Sequence, residues 1–123
     1  MADLPRIHNL YYPVGDMARA RSFYEALIRP PLQFADGDRW VQYNLNGSSF
    51  ALSSRAEAAA GLYGGAITFE VGELDSFRDR IPGLGGSIIG SRSMGSHGDA
   101  LAITDPDGNI FHLWRRAPRP TTG

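Results

Sequence analysis

The feature of this sequence that most constrains its fold is an internal repeat. Residues 14–17 (Val-Gly-Asp-Met) and 71–74 (Val-Gly-Glu-Leu) each follow a β-branched and aromatic run and precede a segment with helical spacing. Later in each half, a turn rich in Asn, Asp and Gly leads into an apolar strand, Phe-Ala-Leu-Ser at 50–53 and Phe-His-Leu-Trp at 111–114. Similar elements in the same order predict two copies of one supersecondary unit.

Hydrophobic periodicity gives each copy the order β-α-β-β-β. In the first copy, Asp16 is a good N-cap for a helix that Pro30 and Pro31 end. The inward face of that helix is predicted to carry Met17, Ala20, Tyr24, Leu27 and Ile28. In the second copy, residues 73–81 form a short helix with Leu74, Phe77 and Ile81 inward. The predicted strands are residues 7–13, 32–36, 39–45 and 48–54, then 65–71, 86–91, 99–104 and 109–115.

The predicted fold is therefore α+β, a single domain of two tandem β-α-β-β-β modules that form a curved mixed sheet around a concave cleft. Module one spans about residues 6–54 and module two about 64–116. Residues 55–63 are a small-residue linker, and residues 117–123 are a tail that we expect to be frayed.

Composition restricts the classes of function. The chain of 123 residues is 42% hydrophobic and 20% charged, with a net charge of −1, as expected for an ordinary globular domain. This charge gives no electrostatic footprint for nucleic acid or an anionic membrane. No transmembrane run or signal peptide is evident, so we expect a cytoplasmic protein. The absence of cysteine excludes disulfides and thiolate chemistry.

Two segments carry a resemblance to a known family. Residues 13–27, with an Asp-then-Phe-Tyr spacing, and residues 103–114, with an Asp-Pro-Asp-Gly-Asn turn, resemble the vicinal oxygen chelate superfamily. Its members include glyoxalase I, extradiol dioxygenases, methylmalonyl-CoA epimerase, fosfomycin-inactivating enzymes and bleomycin-resistance proteins. The resemblance implies a small-molecule partner and a homodimer. All twelve basic residues are arginine and none is lysine, as a G+C-rich bacterial genome would explain, so we expect a bacterial protein. One scaffold hosts many chemistries, so it indicates fold more strongly than function.

The resemblance also implies where metal ligands would lie. Metal-using members supply ligands near the start of each module's first strand and within its last strand. These positions correspond here to Asn9 (or the adjacent His8), Ala51, Ala66 and His112. Alanine has no donor atom, whereas a catalytic divalent site usually needs about three protein ligands. We therefore expect no cofactor; the alternative is a divalent metal held through His8, His112 and Glu70.

Alternation along the strands predicts which side chains face the cleft. His112 and Glu70 are candidate acid/base groups, because an imidazole exchanges protons near neutral pH and a carboxylate can act as a base. The competing interpretations are a hydrogen-bonded histidine and a solvated strand-end glutamate. His97 is interpreted as an exposed loop residue, and Asp105 and Asp107 as turn residues. Alternation does not fix the phase of Trp40 against Tyr43, so both are kept. The predicted ligand contacts are Asn9, Tyr11, Trp40, Tyr43, Ala51, Ala66, His112 and Trp114.

Three functional hypotheses follow. The first is a metal-free small-molecule-binding protein of the glyoxalase/bleomycin-resistance type, which holds an apolar or aromatic compound and serves in antibiotic resistance. The second is a metal-independent isomerase, cyclase or lyase with His112 as its acid/base. The third is a divalent-metal lyase or dioxygenase. Whether the protein is an enzyme is therefore left open by the sequence.

Overall fold

A computed structural model describes residues 7–62 and 66–118 of the chain. The chain divides into two compact units between Leu62 and residue 63, inside the predicted linker. The first residue of predicted module one, the start of the strand predicted at 65–71 and most of the predicted tail lie outside the described residues. No helix among the described residues is long and apolar enough to cross a membrane.

The first unit has the predicted β-α-β-β-β order. Its sheet has the strand order β1-β4-β3-β2, with β1 parallel to β4 and the other neighbours antiparallel. The first strand starts three residues later than predicted, because pairing with the last strand begins only at Leu10. The elements are β1 (Leu10–Val14), α1 (Met17–Leu27), β2 (Leu32–Asp36), β3 (Trp40–Leu45) and β4 (Ser48–Ser54).

Helix α1 begins where the sequence predicts. The Asp16 side chain accepts a hydrogen bond from the backbone N–H of Arg19 at 3.1 Å, as an N-cap residue should. The helix ends before the two prolines: Ile28 is its C-cap, and Arg29 adopts a left-handed φ of 57°. Phe23, which the sequence prediction omitted, belongs to the buried face, whereas Ile28 is only partly buried.

The face of the first sheet that packs against α1 is apolar and closed. Val41, Tyr43 and Leu52 have no exposed surface. The Tyr43 hydroxyl donates a hydrogen bond to Glu25 at 2.7 Å. Burial of the phenol raises its pKa most, and this hydrogen bond raises it further. Burial tends to raise the pKa of Glu25, but hydrogen bonds from Tyr43 and Arg21 outweigh it and lower that pKa. This contact fixes the side of the sheet that Tyr43 occupies.

The second unit repeats the arrangement. Its strand order is β5-β8-β7-β6, with β5 parallel to β8 and the other neighbours antiparallel. Short 3-10 turns cover Pro82–Leu84 and Gly95–His97. The two four-stranded sheets thus agree with tandem β-α-β-β-β modules. The elements are β5 (Ile67–Glu70), α2 (Asp75–Arg80), β6 (Ser87–Ser93), β7 (Asp99–Thr104) and β8 (Ile110–Arg115).

The core of the second unit lies on one face of its sheet. Leu101, Ile103, Phe111 and Leu113 are fully buried there. Because side chains alternate along a strand, burial of Phe111 and Leu113 places His112 on the other face. Asp105 is a turn residue, as predicted: its Oδ1 accepts hydrogen bonds from the backbone N–H groups of Asp107 and Asn109, both at 2.9 Å.

Candidate functional site

The candidate site is the open face of the second sheet, the face that carries His112. Strand pairing arranges its side chains in two rows across the sheet. The first row runs from β5 to β6 as Thr68, His112, Ala102 and Gly90. The second row, two residues along each strand, runs as Glu70, Trp114, Ala100 and Arg92.

Small residues in the middle of both rows leave a depression of about 510 Å³. Ala100, Ala102 and Gly90 form its floor, and the larger side chains around them form its walls. This volume is within the range of small-molecule pockets. The depression is lined by Thr68, Gly90, Ser91, Arg92, Met94, Ala100, Ala102, His112 and Trp114.

One wall of this depression is fixed by a hydrogen bond. The indole Nε1–H of Trp114 donates to the backbone carbonyl of His97 at 2.8 Å. The loop that carries His97 is tightly wound, since the Met94 N–H donates to the Gly98 carbonyl at 2.8 Å. The bond therefore holds both the Trp114 ring and the loop that places Met94 at the rim.

The His112 side chain lies partly exposed in the depression. Its cross-strand neighbours are Thr68 and Ala102. Within residues 7–62 and 66–118, no hydrogen bond or ion pair of the imidazole is present. The imidazole is therefore open to a bound molecule rather than committed to a structural bond. His97, in contrast, lies exposed in its loop, and it is the backbone carbonyl that contributes to the site.

Glu70 occupies the same face but lies at its margin. Its side chain is 58% exposed, and its Oε2 is 3.8 Å from Nη2 of Arg116. The carboxylate is thus solvated and paired, as the competing interpretation holds, and it does not line the depression. Ala66 precedes β5 and is exposed.

The other predicted contacts belong to the first unit. On its open face, the rings of Tyr11 and Trp40 lie 5.1 Å apart, and the Trp40 indole donates to Gln42 at 3.0 Å. Ala51 pairs with Tyr11 and is fully buried. Tyr43 lies on the opposite face, against α1, so we leave it out of the candidate site.

The two residues proposed for the start of the first strand lie just before it. Asn9 is partly buried and His8 is exposed, and neither is in β1. The sequence predicts a strand from residue 7, which would include both residues, whereas β1 begins only at Leu10.

The donor groups around His112 do not suit a divalent metal. Its strand neighbours offer one hydroxyl, from Thr68, and one methyl group, from Ala102. Among the residues that the structure describes, no group of three or more His, Asp or Glu side chains could hold a metal ion. A site with about three protein ligands is therefore not assembled from these residues.

Sequence comparison finds no relative: no protein-family model matches the chain, and no curated protein matches it. Structural comparison gives a different result. A glyoxalase-related enzyme from Fulvimarina pelagi superposes with a TM-score of 0.77 at 18% identity, over 92% of this chain and 89% of that one. The chain has the vicinal oxygen chelate fold.

Two further solved structures agree with this assignment. The lactoylglutathione lyase from Agrobacterium tumefaciens has a TM-score of 0.74 at 16% identity, over 93% of this chain and 96% of that one. A fosfomycin resistance protein from Listeria monocytogenes, solved with Mn(II), has a TM-score of 0.74 at 16% identity, over 91% and 90% of the two chains. The resemblance seen in the sequence is thus confirmed for the fold, and metal use is a property of some proteins that share it.

Proposed function

We propose that this protein binds a small apolar or aromatic molecule without a metal, on the open face of its second module. The depression of about 510 Å³ carries this proposal, because its floor is made of small apolar residues and one wall is the fixed Trp114 ring. A shaped apolar pocket with few polar groups is the usual form of a small-molecule site. We propose a binding protein of the glyoxalase/bleomycin-resistance type, with a role in antibiotic resistance.

The proposal is tested first by metal content and then by ligand binding. Untagged protein is incubated with iron, zinc, nickel and manganese, desalted, and analysed by plasma mass spectrometry. We expect far less than one ion per chain. Near-stoichiometric metal that is lost from His112→Ala and His8→Ala would contradict the proposal and support a divalent-metal lyase or dioxygenase.

Ligand binding is then sought by thermal shift with a panel of apolar and aromatic compounds. A ligand at 100 times its Kd stabilises the folded state by about 2.7 kcal/mol, which raises Tm by several degrees in a domain of this size. No shift with any compound would contradict the proposed function.

A second candidate function is a metal-independent isomerase, cyclase or lyase. The observation that favours it is the His112 imidazole, which is partly exposed in the depression and free of structural bonds in the described part of the chain. Glu70 is a weaker candidate for a second group, because it is solvated and paired with Arg116.

If the protein is such an enzyme, His112→Ala should lower kcat by roughly 10²- to 10⁴-fold, as expected for loss of a general acid or base. His97→Ala, which removes an exposed imidazole outside the depression, is the matched control and should keep the activity. Steady-state kinetics on any compound that is turned over makes the comparison. An unchanged kcat in His112→Ala would exclude this role for the residue.

The proposal also covers the oligomeric state and the cellular location of the protein. We propose a homodimer, as the resemblance implies, and we propose a cytoplasmic location. Sedimentation velocity on the purified protein distinguishes a dimer from a monomer.

A further inference from the structure

We infer that the ligand is a small organic anion, with its aromatic or apolar body against Trp114 and its charged group at Arg92. This inference rests on the proposed function and deepens it, since it names the chemical class of the ligand. Arg92 is a residue of the depression that sequence alternation does not reveal, and its position on the open face follows from the strand pairing.

Arg92 and Trp114 lie two strands apart in the same row of the sheet. Arg92 pairs with Ala100 on β7, and Ala100 pairs with Trp114 on β8. Adjacent strands lie about 4.8 Å apart, so the Arg92 and Trp114 backbones are separated by about 10 Å. Only the methyl group of Ala100 stands between them in this row. The apolar body of the ligand would lie above this methyl group, with its charged substituent directed at Arg92.

The guanidinium of Arg92 brings a positive charge to the depression. Among the described residues, Arg21, Arg39, Arg115 and Arg116 each have a carboxylate within 4 Å, that of Glu25, Asp36, Asp99 and Glu70 respectively. For Arg92, no acidic partner is present in residues 7–62 and 66–118. Its guanidinium is therefore available to a ligand, and its planar fork of donors matches a carboxylate or another oxyanion.

The charges at the two ends of this row set the orientation of the ligand. The opposite end of the same row carries Glu70, whose charge is partly offset by Arg116. An anionic group is repelled by a carboxylate and attracted by a free guanidinium. The charged group therefore lies toward β6 and the apolar body toward β8, where the indole of Trp114 is held by its bond to His97.

The experiment compares acids with neutral compounds of the same shape. The probes are 2-naphthoate and naphthalene-2-sulfonate, against naphthalene-2-carboxamide and 2-naphthylmethanol. Binding is measured by titration calorimetry on the full chain at low and high salt. We expect the acids to bind at least tenfold more tightly than the neutral compounds, and we expect added salt to reduce this difference.

The matched variants are Arg92→Gln and Arg78→Gln. Each removes one exposed positive charge from the second module, but Arg78 lies on α2 and does not line the depression. We expect Arg92→Gln to weaken binding of 2-naphthoate about tenfold, the range for a charge-assisted hydrogen bond, and to leave the carboxamide unchanged. Arg78→Gln should bind both as the unmodified protein does.

Failure of the inference and failure of the proposed function give different results. If neutral compounds bind as well as the acids and Arg92→Gln changes neither, the anion assignment is overturned and the small-molecule site stands. If neither the acids nor the neutral compounds bind, the anion assignment falls together with the proposed site.

Discussion

Replacing Gly98 by alanine is expected to lower the free energy of unfolding by about 3 kcal/mol, because no side chain fits at this position. An added Cβ would lie 2.6 Å from Nε1 of Trp114 and would also overlap the carbonyl oxygen of Arg115. Gly98 further has φ and ψ of 89° and −169°, a conformation that residues with a Cβ avoid. The overlap would push the loop away from Trp114 and break the bond to His97.

Gly95→Ala is the control, since it changes the same loop without an overlap. Gly95 also has a positive φ, 59°, but an added Cβ there has no heavy atom within 4 Å. Gly95→Ala should lower the free energy of unfolding by about 1 kcal/mol, because only the left-handed conformation is unfavourable for alanine. Urea denaturation followed by fluorescence gives both values. Equal stability of the two variants would contradict the packing of Trp114 against Gly98.

The order of elements could be predicted from the sequence because each module carries its own start and stop signals. Asp16 caps α1 as predicted, and the turn at Asp105 leads into β8 as predicted. The face of His112 also followed from alternation, because β8 is regular and Phe111 and Leu113 are unmistakably core residues. These are local rules, and they need no knowledge of which strands pair.

Local rules did not predict the face of the sheet on which Arg92 lies. Ile88 faces the core beside Ile103, so strict alternation would place Gly90 and Arg92 on the core side as well. The structure has a register shift between Ile88 and Gly90, which moves both later residues to the open face. A bulge of this kind inserts one residue and leaves no distinct sequence signal beyond a nearby glycine. The charged end of the candidate site was therefore not found from the sequence.

Tyr43 and Glu70 illustrate two other limits. The phase of β3 is ambiguous in the sequence, because aromatic residues occur at both Trp40 and Tyr43. In the structure, the full burial of Val41 and Tyr43 and the bond from Tyr43 to Glu25 fix it. Glu70 was assigned to the correct face, but alternation does not tell whether a side chain at a strand end lines a pocket or reaches solvent. Its partner, Arg116, lies far along the chain.

Ala102→Phe is expected to have the largest effect on ligand binding. Ala102 lies at the centre of the depression, between His112 on β8 and Gly90 on β6. A phenyl ring on the open face would fill the space above the floor, so a ligand could not contact Trp114 and Arg92 together. We expect affinity to fall about 100-fold or more, which corresponds to about 2.7 kcal/mol. Phenylalanine is favourable in strands, so the fold should be kept.

The matched control is Ala35→Phe, which places the same ring on an exposed strand of the first module. Circular dichroism and thermal unfolding would show that both variants are folded.

The most direct test of a small-molecule site on the second module is the calorimetric titration of one bound compound into the unmodified protein, Ala102→Phe and Ala35→Phe. We expect binding to be lost only in Ala102→Phe. Unchanged binding in a folded Ala102→Phe variant would contradict it, because a ligand of that kind would have to bind elsewhere on the protein.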